Sequence, residues 1–235
     1  MWREIALAGA AAAVWMAWAV RGKSSKVFGP SIWRGPRSSR AIALTFDDGP
    51  SEATPALLDL LAELEVKATF FLCGAAVRRL PEVAREIACR GHEIGNHSDS
   101  HAIFALRSPG FIRREIVRAQ NSIIEATGQR PVLFRAPFGV RWFGLERALI
   151  ELELTGVMWT AMGGDWRLPP DAVARRLLAR ASNGAIFCLH DGRQLRPYPD
   201  ISCTLDAVRL IVPELKRRGY ELETVSRLLR APAKG

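Results

Sequence analysis

Ala41-Ile42-Ala43-Leu44-Thr45-Phe46-Asp47-Asp48-Gly49-Pro50 is the stretch on which the reading of this chain turns. It opens as a short apolar strand pattern and stops at two adjacent carboxylates, followed by a turn-forming Gly-Pro pair. Side chains on a strand alternate between its faces, so Asp47 and Asp48 do not share one orientation and suit two different tasks. Taken alone, such an ending is an ordinary solvated turn. The residues on either side of it decide between a turn and a site.

Downstream, strand and helix patterns alternate. Thr54-Pro55 starts a helix, with Thr at the cap, Pro in the first turn and Leu57, Leu58, Leu61 and Leu64 at helical spacing. Ala68 to Leu72 reads as a buried strand, and Pro81 opens a helix that Gly91 closes. Glu93-Ile94-Gly95 then leads as a strand towards His97, and Ser108-Pro109 to Gly128 forms a longer amphipathic helix. Further strands are predicted at Val132 to Arg135, Thr155 to Thr160, Ala185 to Leu189 and Tyr220 to Thr224. Helices are predicted at Leu145 to Leu154, Asp171 to Ala181 and Thr204 to Arg218. About seven such units imply an α/β fold with a parallel sheet, most economically a closed or nearly closed (β/α) barrel resembling a TIM barrel.

Upstream lies Ile5 to Val20, an uncharged apolar run with Arg3 and Glu4 before it and Arg21 and Lys23 after it. It has the length of a signal-peptide core or a tight membrane anchor. Ala17-Trp18-Ala19 offers a small-x-small cleavage pattern, while the bulky Trp15, Met16 and Trp18 favour a retained anchor. Either way the chain is expected to be exported, as a secreted or periplasmic protein if the leader is cut or facing outward from the cytoplasmic membrane if it is kept. Residues 1–23 are thus a leader or anchor, 24–40 a linker rich in Gly, Pro, Ser and basic residues, and 41–230 the functional domain.

Composition narrows the class of partner. With 235 residues, 49% of them hydrophobic, the chain can bury one large core. The formal charge of +9 is spread over helical patterns such as Arg113-Arg114 and Arg175-Arg176, without the concentrated basic tract or interleaved aromatics of a nucleic-acid site. We therefore expect no nucleic-acid partner; the sequence does not give the oligomeric state, and a monomer is assumed. Cys73, Cys89, Cys188 and Cys203 form no C-x-x-C pair, so a thiolate metal site is not expected. Their spacing leaves disulfides open.

In a barrel of this kind chemistry gathers where strands end, and Asp47-Asp48, His97, Arg135, Asp165 and His190 all fall at or just past such an end. His97 and His101 stand four apart, on one helical face or one turn, close enough to grip one cation. Adding an Asp gives two imidazoles and a carboxylate with open positions, the pattern of a catalytic divalent site. His92 is taken as structural.

Thr45-Phe46-Asp47-Asp48-Gly49-Pro50, His97-Ser98-x-x-His101, Arg135-Ala136-Pro137-Phe138-Gly139, Asp165-Trp166 and Leu189-His190-Asp191, in this order, resemble the five motifs of the polysaccharide deacetylases, carbohydrate esterase family 4, which share the NodB homology domain. The likeness runs from about Ala41 to Leu229. It implies a distorted barrel of seven or eight strands and metal-dependent hydrolysis of N-acetyl, sometimes O-acetyl, groups on a polysaccharide. Carried over residue by residue, it makes Asp48, His97 and His101 the metal ligands and Asp47, paired to Arg135, the general base. It makes His190 the general acid, oriented by Asp165, and gives the oxyanion the backbone N–H of Phe138. Trp166 and the apolar residues before His190, Leu189 first, would line a pocket for the acetyl methyl. The metal is expected to be zinc, with cobalt or another divalent ion also accepted by such donors.

Three positions depart from the family pattern. Phe138 stands where Tyr is usual, which keeps the backbone donor; Met162 replaces an earlier Asp of the fourth motif; and Cys188 stands where Leu is usual, altering the expected methyl pocket. Two other functions compete. A phosphatase with an Asp nucleophile would not call for the histidine pair. A glycan-binding protein that kept the barrel and lost turnover would not need every catalytic residue, and all are present.

Overall fold

In the computed structural model, which describes residues 2–230, Ala41–Asp47 forms strand β1, buried along its whole length. The other strands are β2 (Thr69–Leu72), β3 (Glu93–Asn96), β4 (Leu133–Phe134), β5 (Thr155–Gly156), β6 (Ala161–Met162), β7 (Ala185–His190) and β8 (Glu221–Glu223). They lie in the order β5-β4-β3-β2-β1-β7-β6, every pairing parallel, with β8 against the N-terminal half of β1. The sheet curls into a half-barrel, as the alternation of strands and helices predicts. It does not close, since no ladder joins β5 to β6 among the described residues.

Strand alternation sorts the core. Ile42, Leu44, Phe46, Phe70, Leu72, Phe187 and Leu189 face the helical layer. There they meet Leu57, Leu58 and Leu61 of α2 (Thr54–Glu63) and Val208, Ile211, Val212 and Leu215 of α8 (Ser202–Arg217). Each such buried side chain contributes roughly 1.5–3 kcal/mol. The intervening residues Ala41, Ala43, Phe71, Leu133 and Ile186 fill the barrel interior. This parity sends Thr45, Asp47, Cys188 and His190 inwards too.

Helix α5 (Pro109–Thr127) has the ends its sequence calls for: the Ser108 hydroxyl accepts the Phe111 N–H at 3.2 Å, and Gly128 closes it in the left-handed region. Helix α4 (Pro81–Cys89) likewise opens on its proline. The other helices are α1 (Trp2–Arg21), α3 (Gly74–Arg79), α6 (Leu145–Glu151), α7 (Pro170–Leu178) and α9 (Val225–Arg230).

Several expectations need correcting. Thr54 is the first residue inside α2 rather than its cap, and its hydroxyl donates to Asp191 at 2.6 Å. Of the strand expected over residues 155–160 only β5 forms, and β6 begins just past its end; between them the carbonyls of Val157 and Met158 accept from the Arg135 guanidinium. The expected linker 24–40 is bonded into the domain. Ile32 bridges Val157, Arg34 bridges Ala185, and Phe28 is buried against Trp142 and Phe143.

Helix α1 carries Trp2, Leu7, Val14, Trp15 and Trp18 exposed, and its last turn meets the domain, where Ala19 is buried and the Val20 carbonyl accepts the Arg141 N–H. No helix among the described residues is long and apolar enough to cross a membrane, so the spanning-anchor reading gains no support here. All four cysteines are free thiols.

Candidate active site

The polar residues at the strand ends meet in one cleft of about 640 Å³. Asp47 and Asp48 come from the end of β1, His97 and His101 from the loop after β3, Phe138 from the turn after β4, Trp166 from the loop after β6 and His190 from the end of β7. Arg135 and Asp165 are buried beside it, each behind the residue it was expected to serve.

Asp48, His97 and His101 form one corner. His101 Nε2 lies 2.9 Å and His97 Nε2 3.4 Å from the same Asp48 carboxylate oxygen, Oδ1, and the three donors all lie within 4.8 Å of one another. That spacing fits one cation with bonds of about 2.0–2.2 Å. His97 is held for this role by its other nitrogen, Nδ1, 2.7 Å from the Arg135 carbonyl, which places Nε2 towards Asp48. Burial raises the Asp48 pKa, but the hydrogen bonds from His101 and His97 outweigh it and hold the carboxyl well below the usual range.

The histidines sit on bends, not on a helix, with Ser98 and His101 in the left-handed region. Asp48, Phe138, Gln194 and Tyr198, which also line the cleft, share that backbone state. Buried polar contacts hold the loop. Helix α3 donates its first two N–H groups to the carbonyls of Ser98 and Asp99, the Asp99 carboxylate pairs with Arg78 and Arg118, and Glu115 accepts from Ser100. Sequence reading missed α3, Asp99 and Glu115; the alternation of Asp99 with the two histidines was the available signal.

Asp47 belongs to the other half. Its Oδ1 accepts from Arg135 at 2.6 Å, and Arg135 also donates to Thr45 and stacks its guanidinium over Phe71 at 4.0 Å. The second oxygen, Oδ2, lies 4.0 Å from His97 and 3.4 Å from the Cys188 thiol. Across the strand pair Asp47 is in register with His190. His190 Nδ1 is 3.0 Å from Asp165 Oδ1, while Asp165 Oδ2 accepts from the His190 N–H and the Thr204 hydroxyl. Burial pulls the His190 pKa down, yet the Asp165 hydrogen bond and charge outweigh it and raise the imidazole above its ordinary value. The adjoining Asp191 is pushed up to about 7 by burial.

One expectation fails for a reason of parity. Leu189 faces the helical layer, not the cleft, because its neighbours Cys188 and His190 take the inward positions. Cys188, in its inward position, lies against Asp47. Trp166 stands edge-on to His190, with ring centroids 5.0 Å apart, and Met162 lines the cleft. The wall completed by Trp159 and the loop Arg193 to Asp200 was not foreseen; its signal was only a Pro-rich, Arg-rich stretch.

A family model described as polysaccharide deacetylase matches residues 34–157. This chain belongs to the polysaccharide deacetylase family. Among its relatives, a peptidoglycan-N-acetylglucosamine deacetylase of Bacillus cereus is 35% identical over 202 residues, covering 84% of this chain and 92% of that protein. A chitooligosaccharide deacetylase of a Bradyrhizobium species is 34% identical, covering 81% and 91%. The crystal structure of a family 4 pseudoenzyme from Bacillus anthracis superposes with a TM-score of 0.77 at 29% identity, covering 85% of this chain and 68% of that one. The match beginning at residue 34 agrees with the bonding of residues 32–35 into the sheet. The pseudoenzyme shows that this deacetylase fold occurs without turnover, which gives weight to the individual side chains.

Proposed function

We propose that this chain is a metal-dependent hydrolase that removes N-acetyl groups, with O-acetyl as the secondary substrate, from an acetylated polysaccharide. Peptidoglycan comes first among the candidates and N-acetylglucosamine polymers of the chitin type second. The observation that carries this reading is the cation corner Asp48-His97-His101 beside Asp47 and His190 in one cleft. Two imidazoles and a carboxylate suit zinc, and accept cobalt.

A divalent ion held there supplies Lewis acidity and brings water's pKa from about 15.7 towards about 7. Asp47, kept in place by Arg135, takes the proton from the attacking water. The backbone N–H of Phe138, in the turn after β4, is assigned to the developing oxyanion; a donor of this kind is worth about 2.7–4 kcal/mol. His190 gives its proton to the leaving amine, and Asp165 holds the imidazole protonated and oriented until then. The products are acetate and a free amino sugar. Trp166 and Met162 border the space for the acetyl methyl.

We place the enzyme outside the cytoplasm, where acetylated wall polymers lie, with residues 1–23 as the export leader. The N-terminal boundary of the catalytic unit moves back from residue 41 to include the bonded segment before it. The test is acetate release from N-acetylglucosamine oligomers and peptidoglycan strands. Chelator is expected to stop it, and Asp47→Asn to abolish release while keeping the metal. Metal-loaded protein that frees no acetate from any acetylated glycan would favour the pseudoenzyme reading.

A further inference from the structure

Cys188 is a fully buried thiol that the hydrolysis above does not use. It stands two residues before His190 on β7, so both point into the barrel, and Asp47 is the register partner of His190 on β1. The Cys188 thiol lies 3.4 Å from Asp47 Oδ2, and Asp47, Cys188 and His190 each offer a ligand atom within 4.8 Å of the other two. His190 is oriented as metal-ligating imidazoles commonly are, with Nδ1 engaged by a carboxylate and Nε2 left for the cleft.

We propose that Asp47, Cys188 and His190 form a second, inhibitory site for a thiophilic divalent cation such as zinc. One thiolate, one imidazole and one carboxylate belong to the donor types zinc takes, and the sulfur sets this trio apart from the Asp48-His97-His101 corner. Binding forms a metal–sulfur bond and releases the thiol proton to solvent. The site is fully buried at Cys188 and the Arg135 guanidinium beside Asp47 repels a second cation, so it fills after the first. Its consequence rests on the proposed hydrolase reading: the second ion occupies the carboxylate that accepts the water's proton and the nitrogen that protonates the amine. Magnesium and calcium, which prefer oxygen donors, do not substitute.

Titration of the metal-free full chain with cobalt tests this. The wild type is expected to bind two equivalents in sequence, the second bringing a thiolate-to-cobalt charge-transfer absorption. Cys188→Ala should remove that absorption and weaken the second step by about 10–100-fold, with Cys188→Ser as a near-isosteric check on folding. For activity, the ratio of acetate release at one equivalent of zinc to that at excess should be large in the wild type and fall towards one in Cys188→Ala. Saturation at one equivalent, or a thiolate band that survives both substitutions, overturns the proposal. A Cys188-dependent second step in a protein that frees no acetate would support the site and reject the hydrolase reading instead.

Discussion

The two halves of the cleft are built in opposite ways. The cation corner takes two of its three donors from one five-residue stretch, His97 to His101, and the third from Asp48 at the end of β1. The proton-transfer half takes Asp47, Arg135, Asp165 and His190 from four strand ends, and buries Arg135 and Asp165 completely or nearly so. A metal corner can tolerate a loop because the ion itself pulls its ligands together. Proton transfer has no such organiser, so its partners are fixed by register and by buried hydrogen bonds.

That contrast is broken most severely by Asp48→Asn. We expect loss of bound metal together with a fall in acetate release of at least about 10³-fold, read by metal analysis and acetate assay on the same sample. Metal retained at full stoichiometry would show that the corner does not depend on Asp48. Next in size, Asp47→Asn should lower kcat by about 10²–10⁴-fold at unchanged metal content, which separates the two halves. If metal leaves with the activity, Asp47 belongs to the wrong half.

Asp165→Asn sharpens the picture further. The carboxylate raises the His190 pKa, so the alkaline limb of the pH–kcat profile should lie above the ordinary histidine value of about 6.5 in the wild type and move down in the variant. An alkaline limb that stays in place would mean that His190 is not the acid. The smallest effect is on stability. Asp191 ionises at about 7 in the folded chain against 3.8 for an ordinary aspartate, so its contribution is complete below the lower value and is lost as pH rises through the higher one. Asp191→Asn keeps an acceptor for Thr54 and should flatten urea midpoints between about pH 4 and 7. Equal pH slopes in the two proteins would contradict this.

The same contrast explains what could be read from the sequence. Strands β1 and β7 and helices α2 and α5 announce themselves by period, proline and glycine, and the cation corner by the histidine spacing. Arg135 and Asp165 were legible only as strand-end residues within a family pattern, because hydrogen bonds across 88 and 25 positions leave no local trace. Residues 24–40 looked like a linker since their attachment runs through backbone groups, such as the Ile32 N–H on the Gly156 carbonyl, that composition cannot show. Burial itself misled at Leu189: an apolar residue beside a catalytic one faces away from it whenever the strand is regular.

Anomalous diffraction from crystals of the full chain given one equivalent of cobalt bears most directly on the division between the halves. A single peak is expected about 2.0–2.2 Å from Asp48, His97 Nε2 and His101 Nε2, with Asp47 still bonded to Arg135. A peak whose nearest ligands are Asp47 or His190 at that loading, or no peak between the two histidines, would contradict it.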